Sequence, residues 1–103
     1  QSAYEIDTIT SNSGSLESSN KNKLIIVNNG SNDVQLTIAE NSNFSSGDFF
    51  RIKQIGTGDL YILGQSGENV DGTDISAAND RIVIPEPDVS FDLVSDGTHW
   101  FIM

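Results

Sequence analysis

The sequence predicts an all-β fold, an antiparallel β-sandwich of jelly-roll type that forms one domain over residues 1–103. Apolar and polar residues alternate with period two along most of the chain, and no stretch has the 3.6-residue period of an amphipathic helix. Short strands follow one another closely and are separated by turn-forming Gly, Asn and Asp residues. Repeated short strands with such turns are typical of antiparallel sandwiches and barrels.

Three hairpins account for most of the predicted strands. Each joins two alternating runs across a turn-forming segment: 23–28 to 33–38, 48–55 to 60–63, and 89–95 to 98–102. Further strands are expected at 3–9 and 81–84. Polar segments rich in Ser, Asn or Gly are predicted loops, at 11–22, 41–47 and 64–80. In the third hairpin Asp96-Gly97 predicts a tight I′ turn, which needs positive φ at both central residues.

Three of the predicted strands are apolar on both faces, at 24–27, 60–63 and 82–84. An antiparallel strand with one face in water should alternate instead. One explanation is that these strands are central or lie under the long loops; the other is that their second face is buried against another subunit. Because a chain of this size has few layers with which to bury both faces, we expect an oligomer.

Charge and composition limit the classes of function. Five Lys and Arg against fifteen Asp and Glu give a formal net charge of −10, which disfavours binding to nucleic acid and to anionic membranes. The acidic surface keeps the protein soluble by self-repulsion, holds cations, or reflects a high-salt habitat. With no cysteine, thiol catalysis, thiolate metal sites and disulfides are excluded. The chain begins at Gln1, which suggests a processed product or the C-terminal module of a longer chain.

Few residues suggest chemistry. The single histidine, His99, lies in no nucleophile–base motif and is interpreted as a surface residue of the last strand. Trp100 alternates with Ile102, which favours packing in the core or at a subunit interface over stacking on a sugar. The segment 68–80 concentrates oxygen ligands of the kind that calcium prefers, although without EF-hand spacing. A solvated acidic loop is the alternative. The candidate calcium ligands are Asp71, Asp74 and Asp80.

The stretch from Phe44 to Met103 carries a series of short motifs. They are Gly47-Asp48-Phe49-Phe50-Arg51-Ile52, Gly56-Thr57-Gly58, Leu60-Tyr61-Ile62, Val70-Asp71-Gly72 and Ser95-Asp96-Gly97-Thr98-His99-Trp100. In this order they resemble the C-terminal tip modules of bacteriophage tail fibres and related virion appendages. One departure is the lack of a Leu-Pro element before the Gly-initiated strand, where Leu36-Thr37-Ile38-Ala39 stands.

The resemblance implies a structural, receptor-binding module at the virion surface, often homotrimeric, that binds a host-surface glycan or protein. We therefore expect a non-enzymatic module of a phage fibre or spike, without a cofactor, in which the loop 64–80 is the recognition surface. A capsid decoration protein is an alternative function. Another is a carbohydrate-binding module of a secreted bacterial protein, which would need a row of exposed aromatic residues; the candidates are Tyr4, Phe49 or Phe50, Tyr61 and Trp100.

Overall fold

The computed structural model describes residues 5–64, 68–75, 82–84 and 90–103, and these residues form two β-sheets. The strands are β1 (Ile6–Ile9), β2 (Ser13–Leu16), β3 (Lys23–Val27), β4 (Val34–Ile38), β5 (Phe49–Gln54), β6 (Leu60–Gly64), β7 (Asn69–Val70), β8 (Thr73–Asp74), β9 (Ile82–Ile84), β10 (Ser90–Ser95) and β11 (Trp100–Ile102). The long sheet has the order β1-β3-β5-β10-β11-β7-β8, and the short sheet has the order β2-β4-β6-β9. Helical structure in the described ranges is limited to 3₁₀ turns at Ser18–Asn20 and Asn41–Asn43. The predicted all-β class is confirmed.

The chain winds as three stacked coils, and each coil places one strand in each sheet. β1 and β2 form the first coil, β3 and β4 the second, and β5 and β6 the third. Neighbouring coils pair in parallel, β1 with β3 and β3 with β5 in the long sheet, and β2 with β4 and β4 with β6 in the short sheet. Beyond the third coil the pairing is antiparallel: β10 pairs with β5 in the long sheet, and β9 pairs with β6 in the short sheet.

This arrangement corrects the predicted pairing. Both sheets are mixed rather than antiparallel, and two of the three predicted hairpins are wrong. β3 and β4 lie in different sheets, as do β5 and β6, because the turns between them carry the chain across the core to the opposite sheet. The third hairpin, β10 with β11, is confirmed. The predicted loop 11–22 contains a strand, β2, which pairs with β4 and has one buried apolar residue, Leu16; the predicted loop 64–80 contains β7 and β8.

The inward residues of both sheets form one buried apolar cluster. Its centre is aromatic: Trp100 is fully buried, with ring centroids 4.8 Å from Phe44 and 6.0 Å from Phe50. The edge-to-face angle of 75° between Trp100 and Phe44 is a favourable aromatic geometry. The remaining members come from every coil and from β7, β10 and the residue after β8: Leu16, Ile25, Val27, Val34, Leu36, Ile38, Ile52, Leu60, Ile62, Val70, Ile75, Phe91 and Leu93.

The turns that join the two sheets stack directly on one another. The side chain of Asn29 in the second turn donates to Asn12 Oδ1 in the first, at 2.7 Å. In the third turn, the backbone N–H of Thr57 donates to the carbonyl of Gly30 below it, at 2.7 Å. The buried side chain of Gln54 donates to the Gly58 carbonyl at 3.0 Å and so fixes the same turn from the core side. Because the backbone of one turn lies directly against the backbone of the next, the stack leaves little room for side chains at the turns.

Two hairpins in the described residues contain an Asp-Gly turn, and they differ in type. The β7–β8 turn has positive φ at both Asp71 (51°) and Gly72 (84°), as an I′ turn requires. The β10–β11 turn has positive φ at Gly97 (96°) but not at Asp96, so the predicted I′ turn is wrong there. Asp96 instead accepts hydrogen bonds at its side chain from the N–H groups of His99 (2.7 Å) and Thr98 (2.8 Å), which lower the pKa of its carboxyl.

We expect Gly97→Val to destabilise the protein by about 1–3 kcal/mol, because a β-branched residue is strained at a positive φ. The nearest atom to an added Cβ is Ser46 Cβ at 3.6 Å, an ordinary contact, so the penalty comes from the backbone and not from a clash. Urea denaturation followed by circular dichroism measures it. Gly97→Asn is the matched control and should cost less, since Asn tolerates positive φ better. An unchanged midpoint for the Val variant would contradict the assigned turn.

Candidate functional site

The ribbon formed by β7 and β8, residues 69–74, lies at the end of the long sheet opposite the first coil. Val70 is buried and pairs with Trp100, while the turn residues Asp71 and Gly72 are exposed. The Asp71 N–H donates to the Trp100 carbonyl at 2.9 Å, and Asp71 Oδ1 accepts from the N–H of Ile102 at 3.2 Å. The ribbon is therefore fixed to β11 from one side and presents its turn to the outside.

The candidate calcium ligands are only partly described. The Asp71 carboxylate extends the hydrogen bonding between the ribbon and β11, which is a structural role for that oxygen. Asp74 pairs with Asn69 in the ribbon backbone, and Asp80 lies outside the described residues. Among the residues that the structure describes, no three acidic, histidine or cysteine side chains group as a metal site would need. Calcium binding by Asp71, Asp74 and Asp80 remains a prediction.

The aromatic candidates do not form an exposed row in the described part of the chain. Phe50 and Trp100 are buried in the core, which confirms the interpretation of Trp100 as a packing residue. Phe49 and Tyr61 are half-buried and belong to different sheets, and Tyr4 lies outside the described residues. His99 is exposed beside the β10–β11 turn, as the sequence predicted, and its backbone N–H bonds to Asp96.

The outward faces of the two sheets differ in chemistry. The outward positions of β2, β4 and β6 form the polar face, which consists of Ser13, Ser15, Gln35, Thr37, Tyr61 and Leu63. The outward positions of β1, β3, β5, β10 and β11, with the residue after β11, include seven hydrophobic side chains, and we name this surface the apolar face. They are Ile6, Leu24, Ile26, Phe49, Val94, Phe101 and Met103.

An ion pair lies in the middle of the apolar face. Arg51 and Asp92 are opposite each other on β5 and β10, and the guanidinium binds the carboxylate through two hydrogen bonds of 2.9 Å and 3.1 Å. Leu24 flanks Arg51 on one side, and Met103 flanks Asp92 on the other. A bidentate pair has a defined geometry, which fixes the orientation of the two side chains on this face. Sequence analysis missed the pair because its members are 41 residues apart.

A second polar junction surrounds Asp48, which joins the starts of the second and third coils. Its carboxylate accepts from the backbone N–H of Ser45 at 2.8 Å and pairs with Lys21 Nζ at 3.0 Å. Asn22, at a positive φ of 60°, exchanges backbone and side-chain hydrogen bonds with Phe49. The Ser45 N–H is the largest influence that lowers the pKa of Asp48; Lys21 and Asn22 act in the same direction against partial burial.

The lowered pKa of Asp48 predicts acid sensitivity. The unfolded chain takes up this proton at a higher pH than the folded protein, so the stabilisation is present at neutral pH. It is lost as pH falls from about 4 through the lowered value. Asp48→Asn should therefore be less stable than the wild type at neutral pH, and the difference in melting temperature should shrink in acid. Glu40→Gln, which removes a charge from an exposed side chain, is the control. A constant difference at all pH values would contradict the assignment.

No helix in the described ranges is long and apolar enough to cross a membrane. No model of a known protein family matches this chain, and no curated protein matches it significantly. The function is therefore inferred from the structure itself, from the ribbon and the two sheet faces.

Proposed function

We propose that this chain is a non-enzymatic structural module of a virion appendage, a phage fibre or spike, that mediates attachment to a host surface. The single observation that carries the proposal is that the two ends of the long sheet are built differently. The first coil lies at one end of the long sheet, and the ribbon 69–74 with its exposed turn lies at the other. A module built this way joins its appendage at one end and contacts the host at the other.

The construction of the ribbon fits a recognition role. Binding residues commonly lie on loops that a rigid scaffold holds in place. Here Val70 anchors the ribbon in the core, and two hydrogen bonds of Asp71 hold its turn against β11. The turn is therefore preorganised, which lowers the entropic cost of binding a glycan or protein receptor.

The first coil fits the role of the joining end. β1 and β2 are the terminal strands of their sheets in the described part of the chain, so their outer edges carry backbone groups ready for pairing. In this proposal the module is a β-sandwich displayed on the virion as a homotrimer. The edges of the first coil then meet the neighbouring part of the appendage.

The test is adsorption of the fluorescently labelled domain to a panel of intact bacterial cells. One variant has the order of residues in the segment 64–80 scrambled. The positions that support the core or the turn are kept: Gly64, Glu68, Val70, Asp71, Gly72 and Ile75. The matched control changes the polar face, with Ser13→Thr and Ser15→Thr. We expect the wild type and the control to bind one host type, and the scrambled variant to fold but not to bind.

The other outcomes separate the alternative functions. Firm association with a purified capsid, without adsorption to any cell, would overturn attachment and favour capsid decoration. Adsorption that survives scrambling but is lost in the polar-face control would move recognition to the short sheet, as in a carbohydrate-binding module. Turnover of a host polysaccharide by the isolated domain would overturn the non-enzymatic proposal.

A further inference from the structure

We propose that the apolar face is the surface through which copies of this chain associate with one another. The inference rests on the proposed function in that it identifies how the modules of one appendage assemble. It concerns outward side chains of the long sheet, which are different residues from those of the ribbon 69–74, so that self-association and host binding can be tested by separate substitutions.

The first argument is the amount of apolar surface on this face. Of the four exposed large hydrophobic residues in the described part of the chain, Ile6, Phe101 and Met103 belong to it. Phe49, Val94 and Phe101 are aligned across β5, β10 and β11, so they form a continuous apolar row. The polar face of the same molecule is the internal comparison. Its four outward positions on β2 and β4 are Ser, Gln or Thr, and its two hydrophobic residues, Tyr61 and Leu63 on β6, are half-buried. Such a one-sided apolar patch marks an interaction surface.

The second argument is charge, and it favours a copy of this chain as the partner. The chain carries fifteen acidic and five basic residues, so two copies repel each other over most of their surfaces. On the apolar face the balance is reversed, because the outward strand positions hold Arg51 and Lys53 against Asp92 alone. Two copies therefore approach with the least repulsion through this face. Arg51 and the aromatic residues are also types enriched in the centres of interfaces.

The size of the face predicts the strength of association. Five strands about 4.8 Å apart, with about five residues rising 3.3 Å each, span roughly 400 Å² of flat surface. A standard interface buries about 800 Å² on each partner, so a single pairwise contact here is weak. We expect reversible association in the micromolar range that tightens with added salt, because salt screens the repulsion between the acidic surfaces.

The experiment is sedimentation velocity with the full chain over a concentration series, from about 5 to about 500 μM, at low and moderate salt. The test variant is Ile26→Thr with Phe101→Thr, two outward positions at which Thr keeps the preference for strand structure. The matched control is Ser15→Thr with Gln35→Thr on the polar face. Thermal unfolding checks that all three proteins fold.

We expect the wild type and the control to increase in mass with concentration and with salt, and the Ile26/Phe101 variant to stay monomeric at a similar melting temperature. A wild type that stays monomeric over the series would overturn the proposal, as would a folded test variant that assembles like the wild type. Association that weakens with salt would also contradict it. A monomeric wild type that still binds cells would overturn self-association alone and leave the attachment function standing.

Discussion

Gly58→Ala should destabilise the protein by about 4 kcal/mol or more, or prevent it from folding, the upper end of what single substitutions cause. A Cβ at Gly58 would overlap the carbonyl group of Asn32 and lie 2.9 Å from the backbone nitrogen of Asp33. Both obstacles are backbone atoms of the second turn, on which the third turn is stacked. The coils would have to move apart to admit the methyl group, and the hydrogen bonds between the turns would be lost with that movement.

Gly30→Ala is the control, because Gly30 lies in the turn beneath and has a different constraint. Its φ is +62°, but no atom lies within 4 Å of an added Cβ. Its cost should be about 1–2 kcal/mol, the penalty of an L-residue in the left-handed region. Urea denaturation of both variants gives the comparison. Equal losses at Gly30 and Gly58 would show that the turns are not stacked in direct contact.

Trp100→Ala is the second substitution with a large expected effect, a loss of about 3–5 kcal/mol. Trp100 is fully buried and packs against both Phe44 and Phe50, so truncation opens a cavity in the centre of the core. It also pairs with Val70, so the loss of packing should loosen the ribbon as well as the core. Chemical denaturation followed by far-UV circular dichroism measures the effect, since the variant has no tryptophan fluorescence.

Trp100→Phe separates packing from hydrogen bonding. The indole N–H of Trp100 has no hydrogen-bond partner among the described residues, so its removal breaks no hydrogen bond to them. The Phe variant should lose only about 1–2 kcal/mol, for the smaller ring. If Phe were as destabilising as Ala, the indole N–H would have a role that packing does not explain.

The sequence predicted individual elements better than their connections. Alternation and short apolar runs located β3, β4, β5 and β10, because these patterns depend on burial along one strand and not on its partner. The same alternation does not distinguish a hairpin from a turn that crosses to the opposite sheet. For that reason the segments around Asn29-Gly30 and Gly56–Asp59 were predicted as hairpins, whereas both cross the core.

The stacked coils lack a regular repeat, which is the usual sequence signal of such an architecture. Leu24 lies 18 residues after its partner Ile6, and Arg51 lies 27 residues after its partner Leu24. The connections between coils differ in length, so equivalent positions follow no fixed period. The I′ turn shows a related difficulty: both Asp-Gly pairs satisfy its residue preference, and only Asp71-Gly72 adopts it.

The candidate site was predictable in part. The sequence marked β3 as apolar on both faces, and the structure places Leu24 and Ile26 outward on a half-buried surface, while the side chains of 82–84 lie outside the described residues. It gave no signal for the Arg51–Asp92 pair or the Asp48 junction, since both join residues distant in the chain. Such pairs follow from strand register, which only the stacking of the coils defines.

The most direct test of the proposed attachment function is hydrogen exchange of the domain with and without envelopes from cells that adsorb it. Exchange read by peptide mass spectrometry reports local protection along the chain. The account predicts that envelopes slow exchange in the ribbon 69–74 and in the adjoining β11, while the polar-face strands β2 and β4 exchange as before. Protection confined to β2 and β4, with the ribbon unchanged, would contradict it.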